Sequence, residues 1–249
     1  MAAAVISTHD GPIAWVKLNR PERLNAMNRQ LVDELAQALA RAEAEDAIRV
    51  IILRGEGRAF CSGDDLKDLD VQTETEAATQ AWVEAIQNIT LQIMQSRKIV
   101  IAVVHGWCVG GALEWAINCD FRLFADNARW FFPEVSYGFF VTGGVTALLT
   151  KQVGPQIAKE LIMFGERHNA DKALEVGIAW KLVPEKDLLG EAERLALMVA
   201  ERPANSVASI KHAINDGFHS SLHGAMAIET AATVRGFLSA EAQARARRT

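Results

Sequence analysis

Ile99-Val100-Ile101-Ala102-Val103-Val104-His105-Gly106-Trp107-Cys108-Val109-Gly110-Gly111-Ala112-Leu113-Glu114 is the stretch on which the fold turns. Its first six residues make an unbroken, mostly β-branched apolar run with no polar alternation, which predicts a strand covered on both faces. Strands of that kind belong to parallel sheets flanked by helices. Gly110-Gly111 then marks a tight passage from strand into helix, and Glu114 falls one turn into that helix.

Upstream, Ala14-Trp15-Val16-Lys17-Leu18 reads as a strand, and the pattern from Asn28 through Glu45 as a helix. Asn28 or a neighbour caps that helix, and Leu31, Leu35, Ala38 and Leu39 share one face. Val50-Ile51-Ile52-Leu53 is the next strand, closed by the turn Arg54-Gly55-Glu56-Gly57. The polar stretch Asp70 to Ala81 reads as a mobile flap before a helix carrying Trp82, Ile86, Ile89, Ile93 and Met94 on its apolar side.

Downstream, Phe121-Arg122-Leu123-Phe124-Ala125 is a further strand, followed by an Asp126-Asn127 turn and the aromatic block Trp130-Phe131-Phe132. From about residue 145 helical periodicity dominates, with breaks at Gly154-Pro155, Gly165, Gly177, Pro184 and Pro203. The expected class is α/β, with a core over residues 1–190 and a helical C-terminal region over 191–249. No fixed-period repeat or low-complexity linker interrupts it.

A chain of 249 residues, half of them apolar and 23% charged, is long enough to bury a full core. The net charge of -5 gives no reason to expect nucleic acid. Cys61, Cys108 and Cys119 lack metal-ligand or CxxC spacing and read as reduced, buried thiols, and no His, Cys and carboxylate cluster suggests a metal. Without a signal-like N-terminus or a membrane-length apolar run, the expectation is a soluble cytoplasmic protein. The histidines read as structural.

Two glutamates stand in strongly apolar stretches, Glu114 and the Glu134 of Phe131-Phe132-Pro133-Glu134-Val135. An ionised carboxylate is costly to bury, so each is paired, neutralised by a raised pKa, or placed where its proton is useful. Glu114 has two readings, a first-turn helix acid favoured by the dipole or an acid–base group beside the amides of Gly110-Gly111. Ser62-Gly63-Asp64-Asp65-Leu66-Lys67 forms a second small-residue turn after a strand. Its amides could face the first set, or Asp64 and Asp65 could be capping acids and Lys67 a solvated charge.

The segments Leu18-Asn19-Arg20-Pro21-Glu22-Arg23-Leu24-Asn25-Ala26-Met27, Ala59-Phe60-Cys61-Ser62-Gly63-Asp64-Asp65-Leu66, Gly110-Gly111-Ala112-Leu113-Glu114 and Pro133-Glu134 resemble, in order and spacing, the enoyl-CoA hydratase/isomerase (crotonase) superfamily. The resemblance runs from about residue 5 to about 238. It implies a crotonase-like spiral of ββα units with a helical C-terminal trimerisation region, assembled as a homotrimer or dimer of trimers. It also implies an acyl-CoA thioester substrate, with coenzyme A part of that substrate and no separate cofactor, and no nucleic-acid or membrane partner.

By the same resemblance the backbone amides of Asp64 and Gly111 form an oxyanion hole, and Glu114 and Glu134 are the base and acid of an enoyl-CoA hydratase. The Coenzyme A and substrate contacts map onto Arg23, Leu24, Ala26, Ser62, Gly63, Asp65, Leu66, Lys67 and Gly110. The same enolate-stabilising site serves double-bond isomerases and C–C bond-cleaving members, and a non-catalytic acyl-CoA-binding relative is the third reading.

Three departures bear on the site. Gly138-Phe139-Phe140-Val141-Thr142-Gly143-Gly144 has Val141 where relatives often carry Pro, which affects the acyl pocket and the aim of Glu134. Asp64 stands where small or apolar residues are common, and is expected to point away from the hole, since an inward carboxylate opposes an oxyanion. The C-terminus, Phe237 to Thr249, lacks the family's usual ending. Trp107, Trp115, Trp130, Phe131, Phe132, Tyr137, Phe139 and Phe140 either pack the core or line a pocket for a bulky acyl group.

Overall fold

Strand β4 (Ile99–Val104) is buried along its whole length and lies inside a six-stranded sheet. The structure, a computed structural model, describes residues 2–68, 73–218 and 220–239. The sheet runs in the order β1 (Val5–Asp10), β2 (Ile13–Leu18), β3 (Val50–Gly55), β4, β6 (Phe121–Ala125), β9 (Lys181–Val183). Only the β1–β2 pair is antiparallel. A smaller sheet joins β5 (Trp107–Val109), β7 (Arg129–Phe131) and β8 (His168–Asn169).

Alternation along the strands sorts two cores. Val16, Leu18, Ile51, Leu53, Val100, Ala102 and Val104 face helices α1 (Arg29–Ala44), α2 (Glu76–Gln95) and α3 (Gly111–Asn118). Ile13, Val50, Ile52, Ile99, Ile101 and Val103 face the other way. That second face is covered by Leu188, Ala192, Leu195 and Ala196 of α7 (Leu188–Ala200). The boundary at 190 drawn from sequence thus falls inside a helix that closes the sheet, because α7 carries the apolar stripe this face needs.

The remaining helices are α4 (Val145–Val153), α5 (Pro155–Phe164), α6 (Ala170–Glu175), α8 (Ala204–Gly217) and α9 (Leu222–Leu238), and their ends match the glycine and proline breaks. Helix α1 starts at Asn28, whose side chain accepts from the Leu31 N–H at 3.0 Å, the cap read from sequence.

The sequence reading missed β1 and the smaller sheet. β1 is an edge strand, mostly exposed and polar, and the strands of the smaller sheet are two or three residues long, too short for a period. Residues 76–81, read as part of a flap, are the first turns of α2, whose N-cap Thr75 accepts from Ala78 N at 3.1 Å. The departure at 240–249 and residues 70–72 of the flap lie outside the described residues.

Candidate active site

Two turns are brought side by side by a short parallel pairing of Cys61 with Cys108. Cys61 N donates to Trp107 O at 2.9 Å and Val109 N to Cys61 O at 3.0 Å, which draws the Gly63-Asp64 turn against the end of β5. Gly63 sits at φ +87°, and a Cβ there would come within 3.1 Å of the Val109 carbonyl. Among the described residues, the Asp64 and Gly111 amides are paired with no backbone acceptor outside their own elements. Gly111 opens α3, where the first N–H groups have no partner within the helix.

Residues 20–27 are fastened to the same turn by Asn25, which is fully buried. Its Nδ2 donates to the carbonyls of Glu56, Ala59 and Phe60 and its Oδ1 accepts from Arg20 N at 2.8 Å. This holds Leu24 and Asn25 in left-handed backbone conformations uncommon for non-glycine residues. Ser62 N then bonds Leu24 O at 3.0 Å, coupling the two expected Coenzyme A segments. From sequence Asn25 stands out only as part of the Arg23–Ala26 Coenzyme A segment, because the carbonyls it binds lie 31 to 35 positions away.

The predicted Coenzyme A residues divide. Leu66 and Lys67 are exposed and Arg23 is 40% exposed, on the rim, while Gly63 and Ala26 are buried beneath. Asp65 is turned inward, 7% exposed, with Oδ2 at 3.0 Å from Arg20 Nη2 and 4.0 Å from Arg23 Nε. Its carboxylate ties the loop to Arg20 and Arg23.

Glu114 is fully buried on α3. Its carboxylate accepts from Thr142 N at 3.1 Å, from the Thr142 hydroxyl at 3.3 Å and from Gly143 N. Burial raises its pKa, and those donors pull it back by favouring the ionised form. The Thr142-Gly143 strap is held in turn by Asn118 Nδ2 on Gly143 O at 2.8 Å and by Gln87 Nε2 on Thr142 O at 3.2 Å. The unusual Gly138–Gly144 loop, expected from sequence to bear on the acyl pocket and the aim of Glu134, bonds the Glu134 carbonyl through Phe139 N at 2.8 Å and the Glu114 carboxylate through Thr142 and Gly143. Asn118 lies one turn beyond Glu114, a spacing that could have flagged it.

Gly143 is required by this contact. An added Cβ would sit 2.6 Å from Glu114 Oε2 and 2.9 Å from Glu114 Cβ. Gly143→Ala is expected to push the carboxylate aside and lower kcat about 100-fold, the scale of a 1 Å misplacement, and to cost about 1 to 3 kcal/mol of stability by overpacking a buried site. Parallel rate and melting measurements check it.

Glu134 opens a 3₁₀ turn, Glu134–Tyr137, and its carboxylate lies over Gly110. A Cβ at Gly110 would be 2.7 Å from Glu134 Oε1. Oε2 is buried with no hydrogen-bond partner among the described residues. Burial, and then the nearby charges of Glu114 and Asp64, push the Glu134 pKa up to about 7.

Asp64 corrects the expectation that it points away. Its Oδ1 is buried and without a hydrogen-bond partner among the described residues, and its charge acts on both glutamates. Burial pushes its pKa up to about 6, against the pull of the Trp82 side chain. The turn that carries its amide leaves the side chain on the inner side, where α2 supplies Trp82.

Raised carboxyl pKa values fix the sign of a pH effect. At Asp64 and Glu134 the folded state holds protons that the unfolded chain has released, so the contribution of these two groups to stability is greatest below the ordinary carboxylate pKa and is lost as pH rises through about 6 to 7. Glu134→Gln should therefore unfold at higher urea than the parent at pH 8, by on the order of 2 kcal/mol, with the gap closing toward pH 4. Equal curves at pH 8 would contradict the assigned environment.

The aromatic residues divide as well: Trp115, Trp130 and Phe132 are core, whereas Tyr137, Phe139 and Phe140 are exposed. No helix among the described residues is long and apolar enough to cross a membrane.

A six-stranded, mostly parallel sheet with helices on both faces and a second sheet of three short strands make an α/β protein of the crotonase fold. An enoyl-CoA hydratase from Thermoplasma volcanium has a solved structure that superposes with a TM-score of 0.92 at 30% identity, covering 99% of this chain and 97% of that one. The chain belongs to the enoyl-CoA hydratase/isomerase family, whose model matches residues 8–246. Similar relatives include a crotonyl-CoA hydratase of Syntrophomonas wolfei, 31% identical over 90% of this chain and 86% of the relative. A short-chain-enoyl-CoA hydratase of Clostridium acetobutylicum is 31% identical over 92% and 87%.

Proposed function

We propose that the protein adds water across the 2,3 double bond of an enoyl-CoA thioester. The observation that carries this is the unequal environment of the two glutamates, one held by three donors and one with an orphaned, buried oxygen. Three donors on Glu114 leave room for roughly one more among a carboxylate's lone pairs, enough to hold a water. Ionised Glu114 takes a proton from that water as its oxygen bonds to C3, the C2=C3 electron pair shifts toward the thioester, and the C1 oxygen becomes an enolate. The amides of Asp64 and Gly111 favour that charge over the neutral carbonyl. Glu134, held protonated near neutrality, delivers its proton to C2 to give the 3-hydroxyacyl-CoA.

Arg23 and Lys67 at the rim suit the Coenzyme A phosphates, with Leu24, Ala26, Ser62, Gly63, Leu66 and Gly110 shaping the path inward. A homotrimer or dimer of trimers is supported by α9, which buries no residue and exposes Leu222, Met226, Val234, Phe237 and Leu238. A cytoplasmic setting fits three buried free thiols.

Loss of the conjugated enoyl absorbance of crotonyl-CoA tests the reaction, and its pH profile tests the acid. Because Glu134 must carry a proton, kcat/KM should fall as pH rises through about 7. A rate still rising at pH 9 would remove Glu134 from that role.

A further inference from the structure

Helix α3 carries Glu114 and Asn118 one turn apart, so their side chains leave the same face. Both close on Gly143 of the strap. Gly143 N donates to the Glu114 carboxylate, and Gly143 O accepts from Asn118 Nδ2 at 2.8 Å. The same Nδ2 donates to Oγ1 of Thr90 at 3.3 Å, a residue of α2 that is 5% exposed. An amide nitrogen has two protons to give, and both are placed. The amide cannot be turned over, because its oxygen would then face the Gly143 carbonyl.

Closing a helix end is not what occupies this side chain. The carbonyls of Ile117 and Cys119, at the end of α3, accept instead from Arg122 Nη1 at 3.1 and 2.9 Å. Gly143 has no side chain with which to hold itself in place, and the neighbouring Thr142 O is met by Gln87, an exposed residue, at 3.2 Å. Asn118 is thus the anchor on the residue that touches Glu114.

We propose that Asn118 is a positioning residue for Glu114, gripping the Gly143 carbonyl so that the N–H groups of the strap stay on the carboxylate that takes the water's proton. Its effect on rate rests on the hydratase reading; the contact itself does not. The charged groups set against Glu114 are Asp64, from the turn after β3, and Glu134, from the 3₁₀ turn, both acidic. What α2 and the strap turn toward it is uncharged, Thr90 on one and Thr142 and Gly143 on the other. Burial favours the neutral acid, and the donors of the strap oppose it. Once the Gly143 carbonyl is released those donors loosen, Glu114 keeps its proton to higher pH, and a smaller fraction of molecules holds an ionised base.

The test follows Glu114 by ¹³C NMR of carboxyl-labelled glutamate, its signal identified by its absence in Glu114→Gln, beside the pH dependence of kcat/KM with crotonyl-CoA. Asn118→Leu keeps the size of the side chain and removes the donor, at a position that shares the lining of a cleft with Ile117, Leu148 and Ile214. It should raise the Glu114 midpoint by about one pH unit, the scale of a hydrogen bond to a charged group. The acidic limb of kcat/KM should move up with it, a loss of about 10-fold on that limb, with the dissociation constant of a saturated acyl-CoA unchanged. Thr90→Val leaves Asn118 in place but removes one of its two acceptors, and should move both readouts the same way by less. An unmoved midpoint in a folded Asn118→Leu, or a profile lowered by one factor at every pH, overturns the proposal. If Asn118→Leu does not fold, Thr90→Val decides on the same two readouts. If the parent turns over no enoyl-CoA, the hydratase reading fails instead, and the NMR midpoints alone decide the role of Asn118.

Discussion

Glu114→Gln and Glu134→Gln should each lower kcat by about 10²- to 10⁴-fold while leaving the dissociation constant for an acyl-CoA nearly unchanged. Both carboxylates sit behind the amides that would hold the thioester, and the phosphate-facing candidates Arg23 and Lys67 lie on the rim. Glutamine keeps the size of glutamate but can neither take the water's proton nor supply one to C2. The two variants should also differ from each other. At position 114 the amide nitrogen would meet donors from Thr142 and Gly143, so some displacement of the strap accompanies the lost base. At position 134 the orphaned Oε2 has no such partners, and the fold should be stabilised above pH 7. Steady-state rates with equilibrium binding of a saturated acyl-CoA separate chemistry from affinity.

Lys211→Met should destabilise the protein by about 3 to 5 kcal/mol, the cost of leaving a buried charge unpaired. Lys211 is 4% exposed, and its Nζ donates to Ile93 O at 2.8 Å, Lys98 O at 2.9 Å and Asp120 Oδ2 at 2.8 Å. That one ammonium joins α8 to the end of α2, to the start of β4 and to the residue beyond α3. Asp120 also accepts from Val100 N at 2.7 Å, so its carboxylate is bound into the central strand. Burial raises the Asp120 pKa and Lys211 draws it down. Pairing Lys211→Met with Asp120→Asn should recover part of the loss, since a neutral amide tolerates burial better than a lone carboxylate. Urea unfolding of both variants beside the parent provides the measurement.

Local signals made much of this molecule legible. The β-branched run at Ile99–Val104 could only be a doubly covered strand, Asn28 caps the helix it was expected to cap, and the glycine and proline breaks of the last third fall at helix ends. Four spaced motifs located the candidate acids and the two turns. What escaped was set by partners distant in sequence. Spacing alone does not reveal that Lys211 answers Asp120 ninety-one positions earlier, or that Asn25 ties two loops together. The loop at Gly138–Gly144 bonds the Glu134 carbonyl through Phe139 N and also reaches the Glu114 carboxylate, since Gly143 is small enough to lie on that carboxylate. Asp64 was expected to turn outward because an acid there opposes an oxyanion. Its inward position beside Trp82 is a property of the turn, which no charge argument contains.

In the proposed reaction this pair of glutamates adds water to an enoyl-CoA. Reaction in ¹⁸O-labelled water, followed by mass analysis of the thioester, tests it most directly. The expected result is a 3-hydroxyacyl-CoA carrying one ¹⁸O, formed by the parent and reduced at least about 100-fold in Glu114→Gln and Glu134→Gln. A thioester of unchanged mass with its double bond moved, or free Coenzyme A released without a hydroxylated product, would contradict it.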